Sequence, residues 1–355
     1  MVASEVAKLS GLAGRPVAVI GAGSWGTTIA AILANKGIET RLWARRPELA
    51  EAIEESRENR EYLPSIHLPA TLDVSSDVER ASAGAAVLVM AVPSHAFREV
   101  LSAFSEVLGD GGAGGGAVSL VSLTKGLERD SLKRMTEVAA EVTPGIASDR
   151  IGALTGPNLA AEIAQGQPAA TLIAMPDIAA AEEAQEVFMA PSFRVYSGDD
   201  VVGAELGGIT KNVIAIAAGV ADGLGFGDNT RATLITRGLA EAARLGVVMG
   251  AEPLTFAGLA GMGDLIATCA SPRSRNRSIG VRLARGESIE KITGEMKMVA
   301  EGVKSTEVVR DLAIKHGVDM PITHEVAAML YEKKPPRSAL ASLLSRPITS
   351  ELYGE

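Results

Sequence analysis

Three glycines spaced as Gly21-Ala22-Gly23-Ser24-Trp25-Gly26 and two lysines, Lys125 and Lys211, have the types and positions that point most directly to chemistry. The glycine spacing suits a backbone that comes close to a dinucleotide pyrophosphate. Gly21 permits a tight turn, Gly23 lets the main chain approach the phosphates, and Gly26 lets the following helix pack on the preceding strand. The N–H groups at the start of that helix then face the anion. Ser24 and Trp25 lie in the same turn and are assigned to the cofactor with the glycines. A nicotinamide dinucleotide moves hydride, and reducing a ketone or oxidising its alcohol also requires a group that exchanges a proton with the oxygen.

Histidine is the usual proton carrier, and the chain has four, His67, His95, His316 and His324. None stands in a motif with a carboxylate at an obvious catalytic spacing. His95, just after Val92-Pro93, reads better as structural or supporting. Lysine can do this work when burial or a neighbouring charge lowers its pKa from about 10.4 toward 7 to 8. Lys211 lies in the apolar stretch Gly207-Gly208-Ile209-Thr210-Lys211-Asn212-Val213-Ile214-Ala215-Ile216, where a fully exposed lysine would be odd. Lys125 follows the apolar run Val118 to Leu123 in Thr124-Lys125-Gly126, at the carboxyl edge of a sheet where α/β folds bind ligands. Taken singly, either lysine could equally cover apolar surface with its stem and reach water with its ammonium.

Where an NAD enzyme presents Asp or Glu to the ribose 2′-hydroxyl, at the end of the second strand, this chain reads Ala44-Arg45-Arg46. Two guanidiniums there suit the 2′-phosphate of NADP. The reading therefore favours NADP(H), with NAD(H) the alternative if both arginines are solvated loop charges.

Alternating elements must position these groups. Pro16 to Ile20 reads as a strand, Thr27 to Lys36 as a helix capped by Gly37, and Ile38 to Trp43 as a second strand. Further buried strands fall at Ala85 to Val92, Val118 to Leu123, Ile151 to Leu154 and Ala169 to Met175. Near-continuous apolar runs separated by helices indicate a parallel sheet covered on both faces, an α/β Rossmann domain. From about Asp200 the strand signals give way to Ala, Leu, Glu and Arg at helical spacing. The expected organisation is a doubly wound N-terminal domain over residues 1–200, with 1–14 flexible, and an all-helical C-terminal substrate domain over 201–355, the active site lying in the cleft between them. The Gly109 to Gly116 stretch reads as a surface loop.

At 355 residues the chain is long enough for two domains, each with its own core. A net charge of -9 argues against a general nucleic-acid or membrane-surface binder, so an anionic ligand must meet a local cluster of positive charge. Cys269 is the only cysteine, which excludes an intrachain disulfide and a cysteine-based zinc site and fits a reducing cytoplasm. Met1 to Gly14 carries Glu5 and no continuous apolar region, so it does not read as a secretory signal. Apolar runs such as Val213 to Val220 fall short of the roughly 20 residues of a membrane span, and no integral membrane segment is expected.

Six motifs occur in register: Gly21-Ala22-Gly23-Ser24-Trp25-Gly26, Leu123-Thr124-Lys125-Gly126-Leu127, Thr155-Gly156-Pro157-Asn158, Lys211-Asn212-Val213, Gly261-Met262-Gly263-Asp264-Leu265 and Ser274-Arg275-Asn276-Arg277. In this order, from about Arg15 to Tyr331, the chain resembles the bacterial-type NAD(P)-dependent sn-glycerol-3-phosphate dehydrogenases. The resemblance implies interconversion of dihydroxyacetone phosphate and glycerol 3-phosphate, with glycerol 3-phosphate going to phospholipid backbones. It implies Lys211 as the proton donor or acceptor and Lys125 against both cofactor and substrate. Gly156, Asn158 and Asp264 belong to the substrate site, Ala160 to the cofactor, and Val299 and Glu301 reach the cofactor from the helical domain. The substrate phosphate, at about -1.5 to -2 charges, requires compensation. Arg275 supplies it, with Ser274 and Asn276 preceding a helical run from Ile279 to Arg285, and Arg275 also touches the cofactor. Asp264, approached through a flexible Gly261-Met262-Gly263, favours a charged Lys211 while burial opposes it, so the resting state of Lys211 stays open. No metal is needed, and a homodimer through the helical domain is the expected assembly.

Two other readings share the layout. A 3-hydroxyacid or 6-phosphogluconate-type dehydrogenase would turn over a carboxylate, and a non-catalytic NADP(H) sensor would bind cofactor without turnover. The first sits poorly with Ser274-Arg275-Asn276, the second with Lys211, Asp264 and Arg275 as a set. The N-terminal extension, the Gly109 to Gly116 loop and the tail after Lys334-Pro335-Pro336 depart from the family pattern without touching a motif.

Overall fold

The computed structural model describes residues 14–108, 118–296 and 301–347. The N-terminal extension before Gly14, the Gly109 to Gly116 stretch and Val299 lie outside them. The chain divides into two compact units, residues 1–209 with 246–264 and residues 210–245 with 265–355.

In the first unit β1 (Val17–Ile20) leads into α1 (Ser24–Asn35), β2 (Thr40–Trp43) and α2 (Pro47–Ser56). A small antiparallel hairpin follows, β3 (Glu58–Asn59) with β4 (Leu63–His67), then β5 (Asp73–Ser75) and α3 (Val78–Ser82). The alternation continues through β6 (Val87–Met90), α4 (Phe97–Leu108), β7 (Ser119–Ser122), α5 (Met135–Val142), β8 (Ile151–Thr155), α6 (Ala160–Ala164), β9 (Ala169–Ala174), α7 (Ile178–Phe188) and β10 (Phe193–Gly198). The strands other than β3 and β4 form one eight-stranded sheet ordered β10-β9-β8-β7-β6-β1-β2-β5.

Every residue of β1, β6 and β7 is buried, as expected of central strands covered on both faces. One apolar cluster, including Val17, Val19, Ile29, Leu33, Phe188 and Phe193, covers one face. A second, including Ile20, Leu88, Phe97, Phe104 and Val138, covers the other. The strands expected from sequence are all present. The sheet is not wholly parallel, because β9 runs antiparallel to β8 and carries β10 with it. β10 was not foreseen: its residues alternate between buried and exposed and leave no continuous apolar run.

Beyond β10 the described residues are helical. α8 (Val201–Gly223) is followed by α9 (Asp228–Val248), α10 (Pro253–Ala257), a π-helical turn over Leu259–Gly263, α11 (Asp264–Ala270), α12 (Arg275–Ala284) and α13 (Ile289–Glu295). Three more close the described chain, α14 (Glu301–His316), α15 (Pro321–Tyr331) and α16 (Pro336–Leu344). A change of element type falls near residue 200, whereas the division by packing falls inside α8, between Ile209 and Thr210. α8 is long and apolar enough to cross a membrane by length and composition, and nearly all of it is buried, as in a core helix. Within the tail, Pro336–Leu344 form the helix α16, tied to α15 where Lys334 Nζ meets Glu325 at 2.7 Å and Ser342 Oγ at 2.8 Å.

In the second unit α12 lies close against α8. A Cβ on Gly219 would stand 2.0 Å from the Arg277 carbonyl oxygen, and one on Gly280 would stand 2.0 Å from that of Ile216. No larger side chain fits either contact, so these glycines set how near the backbone bearing Arg275 and Asn276 comes to the helix bearing Lys211.

Candidate functional site

The glycine turn leaves β1 where the strand order reverses, β1 lying between β6 and β2, the position at which open α/β sheets bind ligands. Gly21 adopts φ +119 and a Cβ there would stand 2.5 Å from the Ala91 carbonyl oxygen, so only glycine fits. A Cβ on Gly26 would stand 2.0 Å from the Gly21 carbonyl oxygen, whereas one on Gly23 would meet nothing within 4 Å. The main chain at Gly23 thus faces open space. Gly23 is the N-cap of α1 with no side-chain cap and no acidic residue in the first turn, which leaves the N–H groups of that turn for an anion. Trp25 packs edge-on against Phe193 at 5.9 Å between centroids, and its buried Nε1 has no partner among the described residues. These features fit a dinucleotide.

The hairpin of β3 and β4 borders this turn. Asn59, fully buried, donates from Nδ2 to the Ala22 carbonyl at 2.9 Å and to Thr27 Oγ1 at 2.8 Å. The Ser24 hydroxyl donates to the Tyr62 carbonyl. Arg45 and Arg46 follow β2 and are exposed. Arg46 pairs with Glu61 of the hairpin turn at 2.5 Å, and that hydrogen bond raises the Arg46 pKa further above its ordinary value. The end of β2 therefore does have a carboxylate beside it, supplied from 15 residues further along the chain.

Lys125 follows β7 and lies against the carboxyl end of β8. Its Nζ donates to the Gly156 carbonyl at 3.0 Å and forms an ion pair with Asp264. Asp264 is almost wholly buried, at 2% side-chain exposure against 17% for Lys125. A carboxylate so desolvated needs a cation beside it, and Lys125 is that cation. The approach to Asp264, expected to be flexible, is a regular π-helical turn over Leu259–Gly263, and Asp264 begins α11. Asn158 donates from Nδ2 to Thr171 Oγ1 at 3.0 Å, and its buried Oδ1 has no partner among the described residues. The Ala160 carbonyl accepts from Thr28 Oγ1 at 3.3 Å, which sets the start of α6 beside α1.

In the second unit Lys211 is buried on α8 and donates from Nζ to Thr268 Oγ1 of α11 at 2.7 Å. Thr268 was not anticipated; its only sequence signal is the four-residue spacing from Asp264 on one helix. Arg275 and Asn276 do not precede their helix as expected. They form the first turn of α12, and Ser274 caps it by accepting from the Arg277 N–H at 3.2 Å. Arg275 is exposed as a residue, but burial around its guanidinium lowers the pKa, opposed by Glu301, and an arginine stays cationic throughout. Asn276 is buried and its amide is committed to Asn212 Oδ1 at 2.9 Å and to the Gly302 N–H at 3.1 Å. Glu301 starts α14.

A cavity of about 460 Å³ in the first unit, lined by Arg134, Thr136, Ile151, Pro176, Asp200 and Glu252 among others, includes none of the expected site residues. Among the described residues no three or more His, Cys, Asp or Glu side chains group as metal ligands.

Two family models match the chain, NAD-dependent glycerol-3-phosphate dehydrogenase N-terminus over residues 16–181 and C-terminus over residues 200–341. A glycerol-3-phosphate dehydrogenase (NAD(P)+) of Geobacter metallireducens is 50% identical over 338 residues, 95% of this chain and 99% of the relative. One of Corynebacterium glutamicum is 51% identical over 336 residues, 94% and 99% of the two chains. The crystal structure of glycerol-3-phosphate dehydrogenase from Coxiella burnetii superposes with a TM-score of 0.88 at 36% identity, covering 94% of this chain and 99% of that one.

Proposed function

The chain belongs to the NAD-dependent glycerol-3-phosphate dehydrogenase family, and from that premise we propose how its own residues interconvert dihydroxyacetone phosphate and sn-glycerol 3-phosphate with NAD(P)(H). The bound nicotinamide supplies or accepts the hydride at the substrate carbon. Lys211 exchanges the proton. In the reducing direction its ammonium gives a proton from Nζ to the ketone oxygen, and in the oxidising direction the amine takes the proton back. Its bond to Thr268 fixes where Nζ points.

Lys125 holds substrate oxygen and cofactor, with Asp264 fixing the position of its Nζ. Gly156 and Asn158 complete that side. Ser274, Arg275 and Asn276 hold the phosphate, Arg275 by charge and the first turn of α12 by its N–H groups and positive end. Gly21, Gly23, Ser24, Trp25 and Gly26 hold the dinucleotide with Ala160, Arg275, Val299 and Glu301, and Arg45 and Arg46 make NADP(H) the favoured form.

The single observation that carries this reading is the buried Asp264 paired with Lys125 beside Gly156, a costly arrangement that places an ammonium at the carboxyl edge of the sheet where α/β folds bind ligands. We further assign the product to phospholipid synthesis, the enzyme to the cytoplasm, and its assembly to a homodimer. Loss of 340 nm absorbance on mixing the protein with dihydroxyacetone phosphate and NADPH or NADH tests the reaction. Rapid oxidation is the expected result. Folded protein that oxidises neither cofactor with this substrate, but does so with a 3-oxo acid, would move the assignment to a carboxylate substrate.

A further inference from the structure

The hairpin turn that carries Glu61 is fastened to the glycine turn. Asn59 holds the Ala22 carbonyl and Thr27, its Oδ1 accepts the Tyr62 N–H at 3.2 Å, and Tyr62 in turn accepts from Ser24. Glu61 therefore does not sit beside Arg46 as a stray surface charge. The segment is anchored on one side by a fully buried asparagine and meets Arg46 at 2.5 Å on the other. The end of β2, where Arg46 stands, is the place that reads the adenosine ribose in this fold.

Two chemistries compete there. The 2′-phosphate of NADP, with about -1.5 to -2 charges, seeks the Arg46 guanidinium and is repelled by the Glu61 carboxylate. The 2′-hydroxyl of NAD is neutral and donates a hydrogen bond, which a carboxylate accepts. We propose that Glu61 is a specificity-determining residue of the cofactor site, weakening the hold of Arg46 on the NADP 2′-phosphate and accepting the NAD 2′-hydroxyl, so that the preference for NADP(H) is modest and one site serves both dinucleotides. The inference rests on the reading that the glycine turn binds a nicotinamide dinucleotide.

Both side chains are roughly half exposed, 47% for Arg46 and 41% for Glu61, so the pair contributes little to stability and substitutions there leave the fold intact. The test is equilibrium binding of NADPH and NADH to the full chain, followed by nicotinamide fluorescence, for wild type, Glu61→Gln, Arg46→Ala and the double variant. Glu61→Gln should improve the NADPH-to-NADH affinity ratio by about three- to tenfold, the range of an exposed charge pair plus a removed like-charge contact. Arg46→Ala should weaken NADPH more than NADH, and in its background Glu61→Gln should change NADPH affinity by less than in the wild type. A ratio that Glu61→Gln leaves unchanged, or moves toward NADH, overturns the proposal even though the wild type binds both cofactors. Wild-type protein that binds neither overturns the dinucleotide reading as well.

Discussion

Asn276 Nδ2 donates to Asn212 Oδ1 at 2.9 Å while Asn276 Oδ1 accepts the Gly302 N–H at 3.1 Å. One buried amide thereby joins α12, the residue next to Lys211 on α8, and the first turn of α14. Replacing Asn276 by Ala strands a buried N–H and a buried carbonyl oxygen. The expected cost is about 1–3 kcal/mol of unfolding free energy, measurable by urea titration, together with a raised KM for dihydroxyacetone phosphate. Unchanged stability would mean that these bonds contribute nothing in solution.

Lys211→Ala removes the proton-exchanging group. It should lower kcat by about 10²- to 10⁴-fold while NADPH affinity, read by fluorescence, stays nearly intact. A preserved kcat removes Lys211 from the mechanism.

Asp222 on α8 takes Arg277 Nε on one oxygen at 2.7 Å and Arg231 Nη2 on the other at 2.9 Å. Residues two apart on a helix do not share a face, so holding Arg277 turns Arg275 away from Asp222. Asp222→Asn should therefore raise the KM for dihydroxyacetone phosphate with kcat less affected, and reduce the preference for it over unphosphorylated dihydroxyacetone. An equal loss on both substrates would assign Asp222 to stability alone.

Glu241 is buried in the second unit, where it accepts the N–H groups of Ile322 and Thr323 at the start of α15. Burial pushes its pKa up to about 7, against those hydrogen bonds. With the folded value above the unfolded one, the folded state keeps a proton between about pH 4.5 and 7 that the unfolded chain has lost. The stability from this group is thus complete below pH 4.5, falls as pH rises through 7, and is constant above. Between pH 5 and 8 the loss should be on the order of 1–3 kcal/mol. Urea unfolding of wild type and Glu241→Gln across this range isolates it. A wild type no more pH-sensitive than the variant would show that Glu241 is ionised throughout.

The elements that hold the site were legible wherever burial left a continuous mark. β1 and β6 are apolar throughout and β7 carries an apolar centre between two buried serines, because both faces are covered, and the ends of β1 and β7 lead to the glycine turn and Lys125. β10 was not legible because one of its faces meets solvent, and the direction of β9 was not because strand polarity leaves no trace in composition. The hairpin of β3 and β4 is polar and contains Pro64, so nothing in its pattern announced a strand. That is why the end of β2 read as lacking a carboxylate when Glu61 stands beside it.

By itself the sequence determined which groups are available: a glycine turn that only glycine can make, lysines where an ammonium is costly, and a basic segment in an acidic chain. These are local properties, fixed by residue type and near neighbours. Tertiary structure decided the pairings. Lys125 and Asp264 are 139 residues apart, and Lys211 and Thr268 are 57 apart. A hydrogen bond or a desolvated ion pair exists only within a few ångströms, a distance that chain spacing does not encode and that helix packing at Gly219 and Gly280, or a π-turn before Asp264, fixes instead.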